Sequence, residues 1–414
     1  MPCKIRMQCM RHNDGPVCDR AEFIMSKTSK PDSRYPIPEL PELSWRSFGR
    51  RTMRYTTVFD RGETYLSPSG RLSIALALEA LDTGADAEVL LPAYHCTAVA
   101  EPIQWSGARP VPYRINSDTS IDLADLTRQL TPKTRAVIVI HYFGFPQDLT
   151  AVRQLCDDRG IGLIEDCAHA PYTSNALIGR HGDFIVASPR KFLPLFDCGS
   201  LTVPQENDYP LSLRSAGLAY TLRTAWNAVE RATRYGRLPL LMPLIVALNA
   251  IRNRPNKDKS GSGPASVTAT GGQSGYVERR FRQSSVHWKA SGWARMLLKA
   301  ASLDRAATAH RDNFHRLLMA TRDLTDARPL FDELPDDVVP YMFPLVLNDP
   351  AQQHLELSQL GMPMYRWEDF DTDRCPVSSR YRTALIQIPV HQDLKDSEIE
   401  SMIGMLRRVL AAGR

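Results

Sequence analysis

The sequence predicts an α/β protein with a large domain, whose mainly parallel mixed sheet is sandwiched by helices, and a smaller C-terminal α/β domain. Three observations carry this expectation. Between Tyr65 and Val203, short apolar runs alternate with amphipathic helical stretches, the rhythm of βαβ units. Those runs are rich in Val, Ile and Leu and have no polar face, as strands covered on both sides do. The rhythm breaks over 205–290, and a shorter α/β pattern resumes at Trp293. The domains expected are therefore 36–300, interrupted by an insertion at 205–290, and 301–414.

Taken in order, residues 1–35 are polar and unpatterned and read as a disordered leader, with Met25 an alternative start. Cys3, Cys9, His12 and Cys18 within it could ligate zinc, but their spacing matches no common ligand pairing. The strand candidates are 88–94, 110–115, 136–141, 162–165 and 184–187, with helices over 72–81, 123–130 and 149–159 between them. Residues 238–251 form an apolar stretch flanked by Arg234, Arg237, Arg252 and Arg254, too short and Pro-interrupted to span a bilayer. It reads either as an interfacial helix meeting a membrane or partner, or as a helix packed in a subunit interface. The Gly-rich stretch 257–275 follows no strand and is a flexible loop rather than a nucleotide fingerprint. Helical periodicity over 293–324, strands at 341–347 and 384–389, and a helix over 397–410 make up the smaller domain.

Composition narrows the function classes. At 414 residues, 43% hydrophobic and 23% charged, the chain has ample apolar mass and is neither collagen-like nor a disulfide scaffold. Its 51 basic and 46 acidic residues leave a net charge of +5, without the dense basic stripe of a nucleic-acid binder. Eight cysteines show no paired framework and the first thirty residues lack a secretory apolar run, so the expected location is the cytoplasm.

The chemistry concentrates in three places. Leu163-Ile-Glu-Asp-Cys-Ala-His169 ends a strand on Asp166 and turns through His169. A carboxylate buried there needs a partner, which a protonated ring nitrogen would supply. Lys191 follows the 184–187 strand, three residues after Ser188, and a lysine in apolar surroundings can act as an amine nucleophile or base. Ser69-Gly70-Arg71 opens a helix whose first N–H groups suit an anion. Acid, amine and anion cradle are together what pyridoxal 5'-phosphate requires. Each has a plainer reading: a structural Asp, a surface Lys and a helix cap.

The combination resembles the DegT/DnrJ/StrS family of sugar aminotransferases, of the aspartate-aminotransferase-like fold type I. The resemblance rests on Glu165-Asp-Cys-Ala-His169, on Lys191 ahead of Asp197-Cys-Gly199, on Leu91-Pro-Ala-Tyr-His-Cys96, on His141-Tyr-Phe-Gly-Phe-Pro146 and on Pro389-Val-His391. It implies that Lys191 holds the cofactor and shuttles a proton, that Asp166 pairs with the ring nitrogen, and that His169 lies beside the ring. Ser69, the Gly70 and Arg71 backbone and Ser188 would hold the phosphate, with Tyr94 or His95 near the ring. It further implies amino transfer, with glutamate as donor, to a keto-sugar nucleotide in surface polysaccharide or glycoconjugate synthesis, by a homodimer. Lysine at 191 argues against the related dehydratases, in which histidine stands there. Arg71, where the family commonly has Thr, keeps a second expectation open: a non-catalytic relative that binds cofactor or serves as an assembly partner at a membrane.

Overall fold

Strand pairing follows the apolar runs in the computed structural model, which describes residues 35–49, 55–204, 209–252, 281–367 and 374–411. The leader through residue 34, its Cys/His group and the Gly-rich stretch 257–275 lie outside the described residues. In the first half the elements are β1 (Thr56–Thr57), β2 (Gly62–Ser67), α1 (Gly70–Ala80), β3 (Glu88–Pro92), α2 (Thr97–Trp105), β4 (Arg109–Tyr113) and α3 (Leu123–Gln129). Then come β5 (Thr134–Ile140), α4 (Thr150–Asp157), β6 (Gly162–Asp166), β7 (Tyr172–Thr173), β8 (Phe184–Ala187) and β9 (Gly199–Pro204). β1 and β7 form a short antiparallel ribbon. The other seven strands make one sheet in the order β2-β9-β8-β6-β5-β3-β4, in which β9 runs against both its neighbours.

Residues two apart in a strand point to the same face, so an unbroken apolar run feeds two cores at once. Along β5, Ala136, Ile138 and Ile140 join Val89, Leu91 and Ile164 in one core. Val137 and Val139 join Leu90 and Leu163 in the other, which the α3 and α4 residues Leu126, Val152 and Cys156 close. Each such Val, Leu or Ile contributes about 1.5–3 kcal/mol on burial, so both helix layers are needed to hold the sheet.

The second half contains α5 (Leu218–Arg234), α6 (Met242–Arg252), α7 (Gly292–Ala300), α8 (Leu303–Thr321), β10 (Ala327–Pro329) and β11 (Met342–Leu347). It ends with α9 (Pro350–Gln359), α10 (Pro376–Ala384), β12 (Leu385–Pro389) and α11 (Asp396–Leu410). β10, β11 and β12 form an antiparallel sheet. Its entry to β11 is pinned to the end of β5, because the Tyr341 N–H donates to the Phe143 carbonyl at 2.8 Å. Gly144 makes this approach possible: its φ is +99°, and a β-carbon there would lie 2.2 Å from the Val339 carbonyl oxygen.

Buried ion pairs hold the start of the insertion to the rest of the chain. Arg231 of α5 pairs with Glu42 at 2.9 Å, and Arg237 pairs with Glu398 of α11 at 2.6 Å. Burial pushes the Glu42 carboxyl up to about 7, against the pull of Arg231. A carboxyl raised in the fold contributes stability below its ordinary range and loses it as pH rises through the raised value. Tm is therefore expected to fall as pH rises from about 5 to 8. Glu42→Gln should shallow that slope; thermal melts with identical slopes for both proteins would contradict the assignment.

Candidate active site

All the parallel strands of the large sheet deliver their C-terminal ends to one edge, and reversed β9 begins there. The order turns at β3, which has β4 on one side and β5 on the other, and such a turning point opens a crevice at that edge. Asp166, Ser188 and the start of α1 all lie along it.

The start of α1 is built by close backbone approach. Ser69 caps the helix, its Oγ accepting the Leu72 N–H at 3.4 Å. Gly199 lies directly against this turn: a β-carbon on it would sit 2.1 Å from the Ser69 carbonyl carbon and 2.3 Å from the Gly70 nitrogen. On the other side, Ser188 Oγ is 3.8 Å from where a Gly70 β-carbon would be. Arg71 turns its buried guanidinium to Glu101 of α2 at 2.5 Å. The Gly70 and Arg71 N–H groups thus stand at the positive end of α1, beside the Ser188 hydroxyl.

Asp166, the last residue of β6, is buried, and its Oδ1 accepts the Ala168 N–H at 2.8 Å. Burial raises its pKa, and the charge of Lys191 pulls it back down. Lys191 ends a short 3-10 turn, Pro189–Lys191, directly after β8. Its Nζ stands 5.2 Å from the centre of the Tyr341 ring. His169 stacks on the same ring at 4.5 Å and on Phe143 at 5.7 Å. Burial, then the charge of Lys191, holds its pKa well below the ordinary histidine range. His169 Nδ1 accepts the Phe143 N–H at 3.2 Å, so the neutral ring carries its proton on Nε2. Phe143 has φ +56°, a left-handed conformation costing roughly 1–2 kcal/mol, and this turn aims its N–H at His169.

Tyr94 is fully buried, its ring 4.9 Å from Trp367 and 5.8 Å from Tyr142. Trp367 in turn lies 5.5 Å from His169. His95 turns its Nδ1 to the Cys96 carbonyl at 2.9 Å, and burial lowers its pKa. The structure thus couples Lys191 to Asp166 and His169, sets Ser188 and Ser69 around the α1 start, and joins Tyr94 to the group through Trp367. It directs His95 to the adjacent backbone and the Arg71 side chain to α2. Phe143, Tyr341 and Trp367 are walls of the site that sequence reading missed. Tyr341 carried one signal, its place as the first residue of the apolar run 341–347; Trp367 carried none.

Neighbouring polar residues serve the scaffold. Glu165 is fully buried and accepts the Gly179 and Gly182 N–H groups, each at 2.6 Å, the His181 N–H, and His141 Nε2 at 3.2 Å. Burial opposes its ionisation, but hydrogen bonds from His141 and the backbone hold its pKa low. His141, Glu165 and Cys167 offer ligand atoms within 4.8 Å of one another, yet both Glu165 oxygens already receive backbone N–H donors. His391 lies with Nε2 3.0 Å from the Pro38 carbonyl and Nδ1 accepting the Asp393 N–H, which fits a sheet-capping role. Cys167 and Cys198 are fully buried, and burial pushes both thiols up, away from the reactive thiolate.

An amine, a buried acid and an anion-ready helix start, flanked by aromatic rings, fit pyridoxal 5'-phosphate by the chemistry of the donor set. Residues 66–230 match the DegT/DnrJ/EryC1/StrS aminotransferase family. Over 195 residues the chain is 33% identical to a dTDP-4-dehydro-2,3,6-trideoxy-D-glucose 4-aminotransferase of Saccharopolyspora spinosa, covering 44% of this chain and 50% of that protein. Over 130 residues it is 37% identical to an L-glutamine:2-deoxy-scyllo-inosose aminotransferase of Streptomyces kanamyceticus, covering 31% of this chain and 30% of that one. The matches thus span half or less of these relatives' length. The putative sugar aminotransferase Spr1654 of Streptococcus pneumoniae, in its PLP form, superposes with a TM-score of 0.58 at 17% identity, over 91% of this chain and 93% of that one. That likeness establishes an aspartate-aminotransferase-like fold type I, with the mixed sheet flanked by helices.

Proposed function

We propose, from the match of residues 66–230 to the DegT/DnrJ/EryC1/StrS aminotransferase family, that the chain is a pyridoxal-phosphate-dependent aminotransferase acting on a keto-sugar nucleotide. The observation that carries this reading is the convergence of Lys191, Asp166 and His169, with Lys191 and His169 meeting one Tyr341 ring.

Bound pyridoxal phosphate supplies the electron sink that lets an amino acid lose its α-proton. Ser188, Ser69 and the first N–H groups of α1 would hold the phosphate. Asp166 would offer negative charge to the ring nitrogen, in a dry setting where that charge counts for more than it would in water. His169, uncharged and fixed by the Phe143 N–H, would line the site without adding a competing charge. Lys191 would anchor the group covalently through Nζ, and the same amine would hold and move the proton.

The donor in this reading is glutamate, the acceptor a ketone on a nucleotide-linked sugar, and the setting surface polysaccharide or glycoconjugate synthesis. The working form is a homodimer, since fold type I sites are completed at a subunit boundary. The test is a panel of dTDP-, UDP- and GDP-linked keto sugars, with 2-deoxy-scyllo-inosose as a cyclitol control, each paired with glutamate and with glutamine. Amino-sugar formation from a nucleotide substrate supports the proposal. Cofactor retention with no turnover on any member would favour the non-catalytic relative instead.

A further inference from the structure

The described parts of the insertion and its flank, residues 209–252 and 281–299, carry ten Lys or Arg against a single acid, Glu230, although the whole chain is only +5. Arg231 and Arg237 are neutralised by Glu42 and Glu398. Arg223, Arg234 and Arg295 are exposed. Arg223 lines an apolar surface that is exposed among the described residues. Leu218 and Leu222 of α5 are 72% and 60% exposed, and Leu240, in the 3-10 turn Pro239–Leu241 ahead of α6, and Leu244 of α6 are 88% and 55% exposed. The four-residue spacing of Leu218 and Leu222 sets them on one stripe of α5. Between the helices runs a groove of about 700 Å³ lined by Leu222, Trp226, Leu241, Leu244, Leu248 and Trp293. A contiguous apolar patch of this kind, rimmed by charge, marks an interaction surface.

We propose that this face is a peripheral docking site for an anionic phospholipid surface. The leucines at the α5–α6 tip enter the headgroup–acyl boundary while Arg223, Arg234 and Arg295 meet lipid phosphates. The contact is interfacial, because α6 has eleven residues and no described helix is long and apolar enough to cross a membrane. Charge selects the lipid surface over a second copy of the chain. A two-fold pairing of this face with itself would bring two copies of Arg223 and its basic surroundings together, with Glu230 the single acid of these segments among the described residues. The proposal stands independently of the catalytic reading.

The test is co-sedimentation of the full chain with phosphatidylcholine vesicles, with and without phosphatidylglycerol, at low and high salt. Binding is expected only to the anionic vesicles, weakened by salt. The double variants Leu240→Glu/Leu244→Glu and Arg223→Glu/Arg234→Glu should each lower it by about tenfold, with unchanged thermal melts. All four substituted side chains are exposed, so folding is preserved. Absence of binding to anionic vesicles would overturn the proposal, as would binding indifferent to either double variant. Conversion of a dimer to a monomer by Leu240→Glu/Leu244→Glu, seen by light scattering, would also overturn it and assign the face to a second copy.

Discussion

Asp166→Asn is expected to abolish most turnover while leaving the cofactor attached at Lys191. Asparagine keeps the size and the Ala168 hydrogen bond but cannot hold a negative charge at the end of β6. Loss of one such preorganised charge in a dry site costs about 10²–10³-fold in kcat. A second, opposite effect follows from the same burial. Because the folded protein raises the Asp166 pKa, its stabilising contribution is complete below the ordinary carboxylate range and is lost as pH rises through the raised value. At neutral pH the cofactor-free variant should therefore melt above cofactor-free wild type, and in acid the difference should vanish. Steady-state kinetics and paired melts check both halves. Near-normal kcat would remove Asp166 from the chemistry, and a lower melting temperature at neutral pH would contradict the burial argument.

Gly199→Ala should disable the anion cradle. The added carbon meets backbone on α1, 2.1 Å from Ser69 and 2.3 Å from Gly70, and backbone cannot rotate away as a side chain can. Overpacking of this kind costs about 1–3 kcal/mol, and here it is relieved by moving the start of α1 away from Ser188. Cofactor affinity is expected to drop far more than with Ser188→Ala, which removes one hydroxyl and leaves the helix start in place. Titration of cofactor-free protein with pyridoxal phosphate measures this. Equal affinities for Gly199→Ala and wild type would show that the α1 start does not hold the phosphate.

Much of the scaffold was legible because its strands are apolar throughout. Phe184–Ala187 is bounded by Asp183 and by Ser188-Pro189, and its predicted limits are those observed. The run at 162–165 differs only by the addition of Asp166. Less legible was β9, since Gly-Ser-Leu-Thr-Val-Pro mixes small and polar residues and its reversed direction is set by pairing with β2 and β8. α2 was hidden by Pro102 within it. At the site, Asp166, His169, Ser188 and Lys191 stood out because each ends a strand or lies in the short turn after one. Tyr341 and Trp367 reach His169 from far along the chain, and local pattern carries no trace of such long-range packing. The apolar stretch 238–251 was anticipated, but which of its leucines face outward depends on packing rather than on the run of letters, and the exposed Leu218 and Leu222 of α5 were not anticipated.

The most direct measurement concerns where the cofactor is attached. Purified protein incubated with pyridoxal phosphate, reduced with borohydride and digested should yield one pyridoxyl-modified peptide, carrying the label on Lys191, and Lys191→Ala should yield none. A label on any other lysine, or no label on wild type under conditions where it is folded, would contradict the account.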